Sequence, residues 1–156
     1  MTSQEEEPSN VLETESALSW VEARFKLLST AADSNFKIQQ VSPASLAYLG
    51  DAVYELYIRT CYLLPPKRLN NYHDHVVDQV RAESQANTLR SLTPHLTEPE
   101  LEILRRGRNA TAGIPRRLDP EIYQQATSLE TLIGYLYLTN PHRLTQLLAH
   151  LPLDPH

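Results

Sequence analysis

From Leu46 to Leu64 the chain carries only three charged residues, Asp51, Glu55 and Arg59, in the run LAYLGDAVYELYIRTCYLL. Ser42 and Pro43 stand just before it. They supply a capping hydroxyl and a residue whose missing N–H costs nothing in a first helical turn, so the stretch is predicted to be a helix. At about 100° per residue, Leu49, Val53, Leu56 and Thr60 fall on one side, and Ala47, Tyr48, Tyr54, Ile58 and Tyr62 fall around the other. A helix apolar nearly all round is a buried one, and a lone domain this small has difficulty covering both of its sides, which a two-fold partner presenting the same helix can do. Asp51 then points into a packed or partly closed surface, where an ionised carboxylate is expensive without a cation or a hydrogen-bonding partner. The blander reading makes Asp51, Glu55 and Arg59 a solvated stripe, with Glu55 and Arg59 paired at i,i+4.

The rest of the chain is also written in helical period. Residues 1–16 are polar and acidic without periodicity and are expected to be disordered. Residues 17–40 read as a short amphipathic helix on Leu18, Val21, Phe25 and Leu28, followed by a linker, and 41–156 as one domain. Pro65 and Pro66 break the chain after the central helix. Asn70 or Asn71 offers a cap for a helix to about Leu92, with Tyr72, Val76, Val80, Ala86 and Leu89 on its core side. Thr97 and Glu100 form a capping box, and that helix is predicted to stop near Gly107. RNATAGIPRR, Arg108 to Arg117, has no period and reads as an exposed loop. Asp119 and Pro120 open a long helix with a stripe of Ile122, Ala126, Leu129, Ile133 and Leu136. Asn140 and Pro141 start a last one, with Leu144, Leu147, Leu148 and Leu151. Nothing between 40 and 152 alternates with period two for long, so the fold class is all-α, with about six helices.

The formal charge of −5 points away from nucleic acid, but its distribution matters more than its sum. Five of the 19 acids and none of the 14 basic residues lie in the first 20 positions, which leaves 14 against 14 in the remainder. Within that neutral part, Leu101 to Arg117 holds Arg105, Arg106, Arg108, Arg116 and Arg117 against Glu102 alone, a local +4 and a modest electrostatic footprint. A single cysteine, Cys61, excludes an intramolecular disulfide framework and suits a reducing compartment. No apolar run approaches the roughly 20 residues of a membrane span, and MTSQEEEPSN lacks the features of a signal peptide. The expected location is the cytoplasm, with no membrane partner.

A second isolated acid is Glu130 in ATSLETLIGYLYL, the one carboxylate between Ile122 and Thr139. It flanks the apolar stripe of its helix, where a hydrogen-bonded structural role and a chemical one are both open. Two such acids would suit a hard cation if their helices cross, since Mg²⁺ takes one or two protein carboxylates and keeps water and phosphate for the rest. His73, Asp74 and His75 resemble the HD pair of metal phosphohydrolases, but no earlier His is present, and i,i+2 residues point apart on a helix. There is no phosphate-binding glycine loop, nucleophile elbow or zinc spacing.

YLGDAVYE, Tyr48 to Glu55, resembles the ribonuclease III signature, and SLETLIGYLYL, Ser128 to Leu138, resembles that family's second acidic helix. VRAESQANTL and LRRGRNATAG between them are similar to one branch, the bacterial Mini-III ribonucleases, which have the catalytic domain without a double-stranded-RNA-binding domain. The resemblance covers about Ser42 to Leu151. It implies a helical homodimer that cleaves double-stranded RNA with Mg²⁺, the expected substrate being precursor 23S ribosomal RNA, and it leaves room for an assisting ribosomal protein. The family's signature Asp falls on Asp51 and its final metal-binding Glu on Glu130. Full-length members carry two further acids, at positions that here are Ala47 and Thr127. Tyr48 matches the aromatic residue of the family's dimer interface. Arg105, Arg106, Arg108, Asn109, Arg116 and Arg117 are the residues assigned to RNA phosphate. The alternative is a non-catalytic RNA-binding or assembly module on the same fold.

Overall fold

A computed structural model describes residues 38–111 and 113–153, together with Glu22, Ala23 and Lys26. The predicted disorder of 1–16 lies outside the described residues, as does most of the predicted helix at 17–32, of which those last three are helical and exposed. The unit Ile38–His156 is described by itself. Its described residues form six α-helices: α1 (Pro43–Cys61), α2 (Leu69–Val80), α3 (Ala82–Leu92), α4 (Glu98–Asn109), α5 (Pro120–Thr139) and α6 (Pro141–Leu148). Single 3₁₀ turns at Ile38–Gln40 and Thr93–His95 complete it.

Side chains close to the backbone they satisfy define the helix starts. Ser42 accepts from Ser45 N, Asp119 from Glu121 N and Asn140 from Arg143 N, each with a proline in the first turn. Thr97 and Glu100 make the full capping box of α4. Glu100 is buried and also holds Arg143, Nη2 to Oε1 at 2.9 Å and Nε to Oε2 at 3.0 Å, while Nη2 donates to the His95 carbonyl at 2.7 Å. This clamp ties the start of α4 to α6, and the Arg143 guanidinium holds the Glu100 carboxyl below its usual range.

The hub of the unit is α5, which packs against α1, α3, α4 and α6, whereas α2 leans on α1. The core is filled by Tyr54, Ile58 and Tyr62 near and beyond the end of α1, Leu129, Leu132, Ile133 and Leu136 of α5, and Leu144, Leu147 and Leu148 of α6. Two α1 tyrosines place their hydroxyls within it: Tyr54 lies 3.4 Å from Thr88 Oγ1, and Tyr57 donates to the Leu148 carbonyl at 3.1 Å. Burying these rings without such partners would leave their hydroxyls unsatisfied.

The structure corrects two expectations and shows how the central helix is covered. The segment to Leu92 is two helices, because Arg81 is extended (φ −65°, ψ 155°). Side chains of α3 take over the carbonyls freed there, Ser84 Oγ donating to Asp78 O and Gln85 Nε2 to Val80 O at 2.9 Å. Gly107 does not stop a helix but lies buried inside α4, where a Cβ would come within 2.6 Å of Thr131 Oγ1, so its role is close packing on α5. The central helix, finally, is covered from one side alone. Leu46, Ala47, Gly50, Tyr54 and Ile58 are buried, but Tyr48 is 86% and Leu56 65% exposed. No described helix is long and apolar enough to cross a membrane.

Candidate active site

The two acids singled out in the sequence come together through glycines. A Cβ on Gly50 would stand 1.7 Å from the Glu130 carbonyl oxygen, and one on Gly134 would stand 2.0 Å from that of Leu46. Only residues without side chains let two backbones approach so closely. Asp51 follows the first glycine directly, and Glu130 precedes the second by one turn. Both carboxylates therefore border one open cavity of about 300 Å³, which Tyr48, Tyr123 and Thr111 also line. Ala47 and Thr127 line it too.

Burial pushes the Glu130 carboxyl up to about 7, the charge of Asp51 adds to this, and a hydrogen bond from the Gln85 side chain opposes it. Asp51 is raised as well, first by partial burial and then by the charge of Glu55. A negative charge on Asp51 works against ionisation of Glu130. No cationic side chain forms an ion pair with either acid among the described residues. Two oxygen-donor side chains of like charge, uncompensated and facing one cavity, fit a hard divalent cation. No group of three or more His, Cys, Asp or Glu that could hold a metal occurs among the described residues, so such a cation would draw its other ligands from water and phosphate.

The solvated-stripe reading of α1 holds for Glu55 and Arg59, which pair at 2.9 Å, and Asp51 is exposed too, at the rim of the cavity it lines. His73 and His75 are exposed, the latter stacked on Tyr62. The arginines are exposed as expected but differ in their partners. Arg105 and Arg106 share Glu102. Arg108 makes a fork to Glu121 at 2.6 and 2.9 Å that ties the end of α4 to the start of α5. Arg116 and Arg117 form no ion pair among the described residues, and Asn109 is exposed beside Ala110 at the cavity edge. The residue that sequence reasoning missed is Gln85. Its signal was a polar residue in the i, i+4, i+7 row it forms with Leu89 and Leu92.

Residues 44–141 match the family model described as the Ribonuclease III domain. A Mini-ribonuclease 3 of Synechocystis sp. is 58% identical over 116 residues, covering 74% of this chain and 81% of the relative. One from Synechococcus sp. is 58% identical over 118 residues, covering 76% and 86%. Among solved structures, a Fusobacterium nucleatum protein matches with a TM-score of 0.68 at 30% identity, over 73% of this chain and 96% of that one.

Proposed function

The chain belongs to the ribonuclease III family, among the Mini-ribonuclease 3 endoribonucleases, and we propose that it cleaves double-stranded RNA at Asp51 and Glu130 with Mg²⁺ as cofactor. The observation that carries this reading is the pair itself: two carboxylates from crossing helices, bordering one cavity and forming no ion pair with a cationic side chain among the described residues. When bound, the cation supplies charge neutralisation at the phosphate and a more acidic water for hydrolysis. Asp51 and Glu130 hold it and set its position relative to the strand. With Ala47 and Thr127 adding no charge, the cavity leaves room for phosphate oxygens and water. No side-chain nucleophile is required.

In this reading the arginines of residues 105–117, with Asn109, contact phosphate, and the substrate is a duplex stem of precursor 23S ribosomal RNA. The active unit is a homodimer, supported by the uncovered face of α1 with Tyr48 and Leu56. A two-fold partner presenting the same face would cover it and set two sites against opposite strands. A second reading, a non-catalytic RNA-binding module, draws on the absence of acids at Ala47 and Thr127. Incubating the purified protein with a ribosomal precursor stem, with and without Mg²⁺, separates the two. A Mg²⁺-dependent cut lost in Asp51→Asn supports hydrolysis; binding without cutting at any divalent cation supports the module.

A further inference from the structure

Tyr123, Thr127 and Glu130 stand at i, i+4 and i+7 on one face of α5, and all three line the cavity that Asp51 borders. The fold makes no use of the two hydroxyls. On the same helix Ser128, Thr131 and Thr139 each donate to the carbonyl four residues back, and every other described threonine outside α5 is hydrogen-bonded as well. Thr127 is the one whose hydroxyl forms no hydrogen bond among the described residues. Tyr123 is the parallel case among the tyrosines. Six of the eight belong to the core or pack against it, whereas Tyr123 does neither and its hydroxyl forms no hydrogen bond among the described residues. The other tyrosine outside the core, Tyr48, lines this same cavity.

The row also has a direction. At about 1.5 Å of rise per residue, Thr127 lies about 4.5 Å and Tyr123 about 10.5 Å from Glu130 along the axis, toward the start of α5. Arg108 is joined to that start through Glu121, and the loop bearing Arg116 and Arg117 leads into it. Threonine and tyrosine hydroxyls are regular partners of phosphate and sugar oxygens. Beside two carboxylates they offer donors without adding a third negative charge. We propose that Thr127 and Tyr123 hold the RNA strand between the acid pair and the basic loop, each donating its hydroxyl to a phosphate or ribose oxygen next to the phosphate that is cut. This rests on the RNA-cleaving reading given above.

Tyr123→Phe and Thr127→Val remove one hydroxyl each and keep the shape. In an Asp51→Asn background, where the strand stays whole, each is expected to weaken filter binding of a ribosomal precursor stem roughly 2- to 10-fold, the span of one hydrogen bond. The loss should be equal at every salt concentration, because a neutral donor releases no counterion and leaves the salt slope unchanged. Thr127→Ser should bind like the background protein. With Asp51 in place, Mn²⁺ binding to the RNA-free single variants, followed by electron paramagnetic resonance, and their unfolding midpoints should match the wild type. Unchanged RNA affinity in either variant, a flatter salt slope, weaker Mn²⁺ binding or a loss that tracks a lower midpoint would overturn the proposal. Cleavage that persists in Asp51→Asn, or that needs no divalent cation in the wild type, would instead sink the reading on which it rests.

Discussion

Gly50 rests on the backbone of Glu130 so closely that a Cβ at the glycine would fall 1.7 Å from the Glu130 carbonyl oxygen, and the next residue, Asp51, borders the same cavity as the Glu130 carboxylate. Packing and chemistry thus occupy adjacent positions on α1, and a change in the first disturbs the second.

Gly50→Ala and Gly134→Ala are expected to be severely destabilising. The obstructing atoms are backbone, which cannot swing aside, so the cost is at or above the roughly 1–3 kcal/mol usual for overpacking. Denaturant unfolding measures it, and activity per folded molecule should fall as well. Gly113→Ala is the contrast: nothing lies within 4 Å of its Cβ position, and the strain of its φ of +69° costs about 1–2 kcal/mol.

Asp51→Asn and Glu130→Gln should each abolish cleavage while leaving the helical circular dichroism intact, since each keeps shape and loses charge. Both acids serve one function, so the double variant should be scarcely slower than either single one. Rates that multiply would mean that the two act separately.

Glu130 keeps its proton up to about 7 in the folded chain, whereas in the unfolded chain it loses it near 4.5. Its contribution to stability is therefore fully present below about 4.5 and is lost as pH rises through 7, an effect of roughly 3 kcal/mol. Glu100, lowered by Arg143, acts in the opposite sense, its contribution present above 4.5 and lost as pH falls. Comparing wild type with Glu130→Gln isolates the first effect. The variant should gain stability over wild type between pH 5 and 7, and Mg²⁺ should restore the wild type at pH 8.

Among the arginines of residues 105–117, Arg116 and Arg117 are the two that form no ion pair with a described residue. Replacing both with alanine should flatten the dependence of log affinity for duplex RNA on log salt by about one unit per lost contact. Arg106→Ala should also flatten it, because an exposed pair such as that with Glu102 is worth only about 0–1 kcal/mol and phosphate displaces it. Arg108→Ala should in addition loosen the α4–α5 connection by removing the fork to Glu121. Filter binding over a salt series reads all three.

Tyr48→Ala should weaken self-association by roughly 2 to 4 kcal/mol per symmetric interface, a hot-spot magnitude. Activity should fall at dilute enzyme and return at high concentration. Sedimentation of the wild type as a monomer at micromolar concentration, with both strands still cut, would remove the dimer from the proposed function.

Four caps and the stripes were legible in the sequence because each is local, whereas neither Asn70 nor Asn71 caps α2, which starts at Leu69 after Arg68 with no side-chain cap. Ser42, Thr97, Asp119 and Asn140 satisfy backbone groups within three residues of themselves, and Ala126, Leu129, Ile133 and Leu136 repeat at the helical period. The break at Arg81 was not legible, since no proline or glycine marks it and its carbonyls are met by Ser84 and Gln85 of the following helix. Gly107 was misread because a glycine that admits Thr131 looks in one dimension like a glycine that ends a helix. Asp51 and Glu130 stood out as isolated acids, but their meeting depends on the crossing of α1 and α5, which period alone does not encode. The glycine beside each acid was the available signal.

That crossing also sets when the site comes into existence. A chain is made from its N-terminus, so α1 with Asp51 is complete well before α5 with Glu130. Until α5 arrives, Leu46, Ala47 and Gly50 lack the surface they pack on. An unfinished chain thus has one carboxylate and no cavity, and contacts between segments so distant in sequence are the slow ones to form. If Asp51 and Glu130 cut RNA as proposed, the site is assembled only once α5 has been made and packed on α1.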